Sequence, residues 1–165
     1  MRRRMLISQQ KKSNNLFDES LLLTQQSGYC KKVENGYSFK EYPTQYSQYQ
    51  NPNEPLTNYL KSVLKADTTY TFACNVISRG YGTAGAIFLR SSSAEIVKLA
   101  IYGLGQRVTT FSLTQEQIDS IYSVYIYGTR DNQLGSYNPT VIKEFQLLEG
   151  AYTLDTLPPY EPYEE

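Results

Sequence analysis

Asp67-Thr68-Thr69-Tyr70-Thr71-Phe72-Ala73-Cys74-Asn75-Val76-Ile77 alternates apolar and small polar residues with period two. Tyr70, Phe72, Cys74 and Val76 fall on one face, and Thr69, Thr71, Ala73 and Asn75 on the other. That is the pattern of a strand with one face in a core. Its β-branched and aromatic residues suit a pleated, half-buried surface. The rest of the chain reads as further strands that pack against this one.

Upstream, Gly28-Tyr29-Cys30 and Tyr37-Ser38-Phe39-Lys40-Glu41-Tyr42 read as short strands around Glu34-Asn35-Gly36. Asn-Gly is a favoured tight-turn dipeptide, which predicts a hairpin over 29–42. Residues 42–55 carry three prolines, repeated Gln and Asn, and Tyr42, Tyr46 and Tyr49. Such a segment opposes regular structure; it either packs on its own sheet or meets a partner. Leu60 to Leu64 reads as a short strand or an irregular lead-in.

Downstream, Gly80, Gly82 and Gly85 mark a turn that lacks the lysine and spacing of a phosphate loop. Ala86–Arg90 is the next strand. Glu95–Tyr102 alternates Val97, Leu99 and Ile101 against Ile96, Lys98, Ala100 and Tyr102, and its two partly apolar faces predict a central strand. Arg107–Phe111 follows. Thr114-Gln115-Glu116-Gln117 has the form of a helix-capping box, opening one short turn that ends near 118–120. Ile121–Gly128 sets Tyr122, Val124 and Ile126 against Ser123, Tyr125 and Tyr127. Thr140–Leu148 sets Val141, Lys143, Phe145 and Leu147 against Ile142, Glu144, Gln146 and Leu148. About eight short strands with little helix predict one all-β domain, a two-sheet antiparallel β-sandwich over 14–165 with an acidic tail.

Before it, residues 1–13 form a basic N-terminal arm. Arg2, Arg3, Arg4, Lys11 and Lys12 have no acidic neighbour there, whereas from Glu144 onward every charge is negative: Glu144, Glu149, Asp155, Glu161, Glu164 and Glu165. The 16 basic and 16 acidic residues cancel overall, but the opposite ends can steer subunits together or dock on different partners. The bland alternative is two solvated tails. An arm with an apolar knot, Met5-Leu6-Ile7, inside a basic segment can order against another subunit or nucleic acid; subunit anchoring is the better functional reading, with simple fraying the alternative. No aromatic platform interleaves the arginines, so nucleic acid is not expected as a partner.

Several classes of chemistry lack their residues. The chain has no histidine and two cysteines, which removes Ser-His-Asp triads, His-based zinc sites and Cys-rich metal sites. Cys74 reads as a small buried hydrophobe; a bridge to Cys30 is the alternative. Glycoside hydrolysis needs two carboxylates flanking a cleft, and nothing in the spacing of Glu95, Asp119, Asp131, Glu144 and Glu149 pairs them. No run of spaced carboxylates supports calcium, so no cofactor and no enzyme activity are expected. No apolar run approaches the roughly 18 residues that cross a membrane, and the knot at 5–7 is too short for a signal peptide. Sixteen tyrosines without a tryptophan suit wide, wet contact surfaces. A sugar site would use Tyr81, Tyr102, Tyr125, Tyr127 and Arg79, with Tyr125 and Tyr127 about 7 Å apart on one strand face. The same pair can equally line a sheet or a subunit seam.

The closing segment, with Gln146, Leu147, Glu149 and Gly150 and then Pro162 and Tyr163, resembles the end of jelly-roll, carbohydrate-binding-module-like domains in phage tail, baseplate and fibre proteins. Leu148 is an insertion relative to the commonest spacing. Thr68-Thr69-Tyr70-Thr71-Phe72 is similar to a strand of those modules, Asn15-Leu16-Phe17-Asp18 to their opening, and Phe111-Ser112-Leu113-Thr114 to the strand before Tyr122. The resemblance covers about residues 14–163. It implies a jelly-roll-like sandwich and a non-enzymatic structural protein of the virion, made in the host cytoplasm and attached at tail, neck or capsid through the arm. It further implies other virion proteins and copies of the chain itself as partners. A carbohydrate-binding module for host surface glycans is the alternative it leaves open.

Overall fold

The computed structural model describes residues 13–24, 30–39, 55–79, 85–127 and 140–164. Outside them lie the arm residues Arg2, Arg3, Arg4, Lys11 and Lys12, most of the tyrosine- and proline-rich segment, Tyr81 with its glycine turn, and residues 128–139. After a 3-10 helix at Glu19–Thr24, the strands are β1 (Cys30–Val33), β2 (Gly36–Phe39), β3 (Thr69–Ser78), β4 (Gly85–Arg90), β5 (Glu95–Ile101), β6 (Gly105–Ser112), β7 (Ser123–Tyr127) and β8 (Thr140–Glu149). Two helices interrupt them, α1 (Pro55–Val63) and α2 (Gln115–Ser120).

All pairings are antiparallel. One sheet has the order β1-β2-β8-β3-β6, the other β5-β4-β7, and together they form a sandwich-like all-β fold. The chain crosses between sheets at β3–β4, β5–β6, β6–β7 and β7–β8, so the core is knitted from residues distant in sequence. β3 lies between β6 and β8, as its pattern requires: Tyr70, Phe72, Cys74 and Val76 are all buried in the core. Phe17 enters between the sheets and stacks on Phe72 at 5.4 Å and on Phe145 at 5.2 Å.

Five expectations change. Leu60 to Val63 belongs to a helix, not a strand, and Leu64 directly follows its end. Leu56, Leu60 and Leu64 recur every four residues and are buried, and Pro55 occupies the first helical turn, where its missing N–H costs nothing. The Tyr70 hydroxyl closes this helix end, accepting from Lys65 N–H at 3.0 Å and donating to Val63 O. Among the described residues β5 is an edge strand, paired only with β4; Ile96 and Ala100 are half-buried, and that apolar second face suggested a centre. In the hairpin, β1 begins at Cys30 and includes the exposed Lys31 and Lys32. The turn residues are Glu34 and Asn35, and the positive φ of 135° falls on Gly36. A Cβ there would sit 2.5 Å from the Ile142 carbonyl oxygen, so β8 passes too close for any other residue.

The alternation predicted for β8 also breaks. Ile142, Phe145 and Leu147 are all in the core, although 142 and 145 differ in parity. Ala73 opposes Gln146, but Asn75 opposes Lys143: three steps along β8 match two along β3. The extra residue is a bulge at Glu144, whose φ is 56°, and it turns the strand over by one face. A second shift between Val76 and Ser78 places the surplus residue, Ile77, on β3. Finally, the polar face of β3 is not solvated in the middle, for Thr71 and Ala73 are buried.

A Cys30–Cys74 bridge is excluded by topology. β1 and β3 are separated by β2 and β8, which at about 4.8 Å per strand puts them roughly 14 Å apart. Both thiols are free, and burial pushes each up to about 12. The capping box at α2 forms as written: Gln117 N–H donates to Thr114 Oγ1 at 3.2 Å and Thr114 N–H to Gln117 Oε1 at 2.9 Å.

Candidate functional site

β2 covers the outer edge of β8 only at Thr140–Ile142. Beyond it, Phe145 and Leu147 point their main-chain groups at an edge that, among the described residues, no strand covers. The segment that leads into the domain, residues 13–19, meets all four groups and is called the lead-in below. Asn15 Nδ2 donates to Phe145 O at 2.9 Å, and Asn15 Oδ1 accepts from Leu147 N–H at 3.0 Å. Leu16 N–H donates to Leu147 O at 2.8 Å, and Glu19 Oε1 accepts from Phe145 N–H at 2.9 Å. Buried backbone groups must be paired, and here two side chains do the work of a missing strand.

The C-terminal segment is tied into the same joint. Asn15 Nδ2 also donates to Glu161 O at 3.0 Å, and Asn15 Oδ1 accepts from Phe17 N–H at 2.9 Å. The Tyr160 hydroxyl donates to Glu19 Oε1 at 2.9 Å. Earlier along the segment, Gly150 N–H donates to Thr69 O at 2.7 Å, while Thr71 Oγ1 donates to Gly150 O at 2.8 Å and accepts from Tyr152 N–H at 2.9 Å. Tyr163 ends edge-on against Tyr59 of α1, 5.7 Å between ring centroids. The segment is thus a strap from the outer face of β3 to α1, and it buries Thr71. Burial raises the Glu19 carboxyl above its ordinary value despite the lowering effect of Tyr160 O–H and Phe145 N–H. Burial and the Glu19 bond likewise raise the Tyr160 phenol.

Between lead-in, strap and β8 lies a groove of about 790 Å³, lined by Ser13, Gln146, Leu148, Glu149, Tyr152, Pro158, Pro159 and Glu161 among others. Its floor is the outer face of β8. By contrast, the space between the sheets, bounded by Phe17, Phe72, Ile87 and Leu147, is an apolar core cavity of about 20 Å³, too small and dry for a polar ligand.

The opposite end of the sandwich holds a second exposed feature. At the β5–β6 turn the Tyr102 side chain is 71% exposed and Leu104 60%, with Ile77 also at the surface. Two arginines pin the turn from below: Arg79 Nη1 donates to Tyr102 O, and Arg107 reaches Leu104 O at 2.8 Å and Gln106 O at 2.9 Å. Of the residues predicted for a sugar site, the structure therefore brings Arg79 and Tyr102 together. Tyr127 pairs with Ala86 and Tyr125 with Phe88, so the β7 backbone reaches this end at Tyr127, but the two side chains lie outside the described residues, as does Tyr81.

No protein-family model, curated protein or solved structure matches this chain. Function has to be argued from the geometry. Among the described residues no three His, Cys, Asp or Glu side chains gather as a metal site, and no helix is long and apolar enough to cross a membrane. Three of the carboxylates considered for glycoside chemistry have structural partners, and Glu95 is exposed on β5. Glu144 bonds Lys143 at 2.7 Å and Asn75 at 3.0 Å, Glu149 lies 3.7 Å from Lys65, and Asp119 accepts from Gln115 at 2.9 Å. Sequence reasoning missed the Asn15–Glu19–Tyr160 joint. Its one local signal was a polar Asn and Glu flanking the buried Leu16-Phe17.

Proposed function

We propose that the chain is a non-enzymatic structural module of a phage particle, a jelly-roll-like sandwich held to tail, neck or capsid by its N-terminal arm. The observation that carries this is the convergence of the segments that resemble such modules. Asn15 of the opening, Thr69 and Thr71 of the β3 strand, and Gly150, Tyr152 and Glu161 of the closing segment bond one another directly. The motif residues are the ones that shut the domain, which is why that combination would recur in modules of this shape. Ser13, where the arm joins, and Glu161 of the strap line the same groove. Its partners would be other virion proteins and further copies of the chain. Mass spectrometry and immunolabelling of purified particles test this directly. A protein that stays monomeric beside assembled particles, and is never found within them, overturns it.

One observation favours glycan binding as a second reading: Tyr102 stands exposed on a turn clamped by Arg79 and Arg107, the aromatic platform with adjacent planar donors that sugar stacking uses. Glycan-array binding abolished by Tyr102→Ala, or by Tyr125→Ala with Tyr127→Ala, would move this reading ahead of the first.

A further inference from the structure

The groove between the lead-in, β8 and the strap has three chemically distinct parts. Leu148, Pro158, Pro159 and the Tyr152 ring give it an apolar wall. Glu149 and Glu161 place carboxylates along it. Glu149 is more than half exposed and meets only Lys65 at 3.7 Å, a contact that exchanges easily in water; Glu161 has no ion pair among the described residues. The third part is Gln146. This residue is only 2% exposed, yet it lines the groove. An amide offers one acceptor and two donors, the complement of an extended peptide backbone.

The occupant with the matching chemistry is in the chain itself. Residues 1–12 carry Arg2, Arg3, Arg4, Lys11 and Lys12 with no acid, and Met5-Leu6-Ile7 between them. Extended, twelve residues reach about 40 Å, enough to cross to a neighbour. We propose that the groove binds the basic arm, residues 1–12, of a second copy of this chain. Gln146 pairs with its main chain, Glu149 and Glu161 with its lysines and arginines, and Leu148 and the prolines with Met5-Leu6-Ile7. The proposal deepens the anchoring role given to the arm above and rests on it.

The test combines sedimentation of the full chain with titration of a synthetic peptide of residues 1–12 into protein lacking them. Self-association of the full chain, its loss on truncation, and salt-sensitive peptide binding are expected. Glu149→Lys with Glu161→Lys should weaken the peptide at least tenfold without moving the melting midpoint, because both side chains are exposed. Adding Lys11→Glu and Lys12→Glu to that pair in the full chain should restore association. Arm-dependent association that ignores Glu149→Lys and Glu161→Lys overturns the groove and leaves the arm's anchoring role standing. A monomeric full chain whose truncated form alone binds peptide means that each arm fills its own groove, and overturns the second copy. Absence of peptide binding overturns the groove outright. Truncated protein that still enters particles sinks the anchoring role, whatever the peptide does.

Discussion

Asn15 and Leu147 are joined by a 3.0 Å hydrogen bond across 132 residues of chain, strand N–H to side-chain oxygen. The Asn15 side chain makes three further bonds, to Phe145 O, Phe17 N–H and Glu161 O. Its oxygen faces two N–H groups and its nitrogen two carbonyls, so the amide has one workable orientation. An exposed strand edge invites pairing with another chain. Here the edge beyond β2 is closed by the lead-in, and the closure requires the strap.

Asn15→Ala should therefore be among the most damaging single changes outside the apolar core. It strips partners from Leu147 N–H, Phe145 O and Phe17 N–H together, at about 1–3 kcal/mol for each buried group left unpaired. We expect a loss of at least about 3 kcal/mol in urea unfolding. Asn15→Asp should also destabilise, since it turns a donor into a charge facing two carbonyls. A loss below about 1 kcal/mol for the alanine variant would show that lead-in and strap are not coupled to β8.

Glu19 gives a pH signature. Its folded carboxyl is raised by burial, so between the unfolded and folded values the native state holds the extra proton. Stability then falls as pH rises through that window. Glu19→Gln keeps an oxygen for Phe145 N–H and Tyr160 O–H and removes the charge. The variant should gain on the native protein as pH is taken from about 4 to 7. Glu19→Ala should lose about 1–3 kcal/mol at every pH. A Gln variant whose advantage shrinks toward neutrality would refute the assignment.

Glu144 behaves in the opposite sense. Burial acts to raise its carboxyl, but the bonds from Lys143 and Asn75 and the Lys143 charge outweigh it, and the group sits below its ordinary value. Its contribution is present above the unfolded carboxylate value and is lost as pH falls through the folded one. Its backbone, at φ 56°, tolerates glycine or asparagine better than a β-branched residue. Glu144→Val should cost about 1–3 kcal/mol and Glu144→Gly less, because relief of the bulge offsets the lost side-chain bonds. Equal losses for the two would mean that the bulge relaxes.

Tyr102 and Leu104 stand at the surface of a turn whose carbonyls are held by arginines. Tyr102→Ala and Leu104→Ser should shift stability by no more than about 0.5 kcal/mol. Arg107→Ala should cost more, by freeing the Leu104 and Gln106 carbonyls. If Tyr102→Ala unfolds the domain, the ring serves packing and not a partner.

Period-two alternation in the sequence was enough to place β3, to place β5 with Val97, Leu99 and Ile101 inward, and to give an all-β chain of short strands. The capping box gave α2, and Asn35-Gly36 the hairpin. These are local facts: steric preferences and side-chain direction act over a few residues, so a short stretch carries them. The helix at Pro55–Val63 was legible too, in Leu56, Leu60 and Leu64 at helical spacing behind a proline, but a window beginning at Leu60 hides the period. Other features had no local signal. That Glu144 is a bulge, that Ile142 and Phe145 share a core, that β5 is an edge, and that Asn15 replaces a strand beside Leu147 all depend on which segments meet in space, 69 residues apart for Asn75 and Glu144 and 132 for Asn15 and Leu147. Hydrogen-bond satisfaction and close packing are summed over the whole domain. Only the tertiary structure could decide where the chain would give up its own periodicity to complete them.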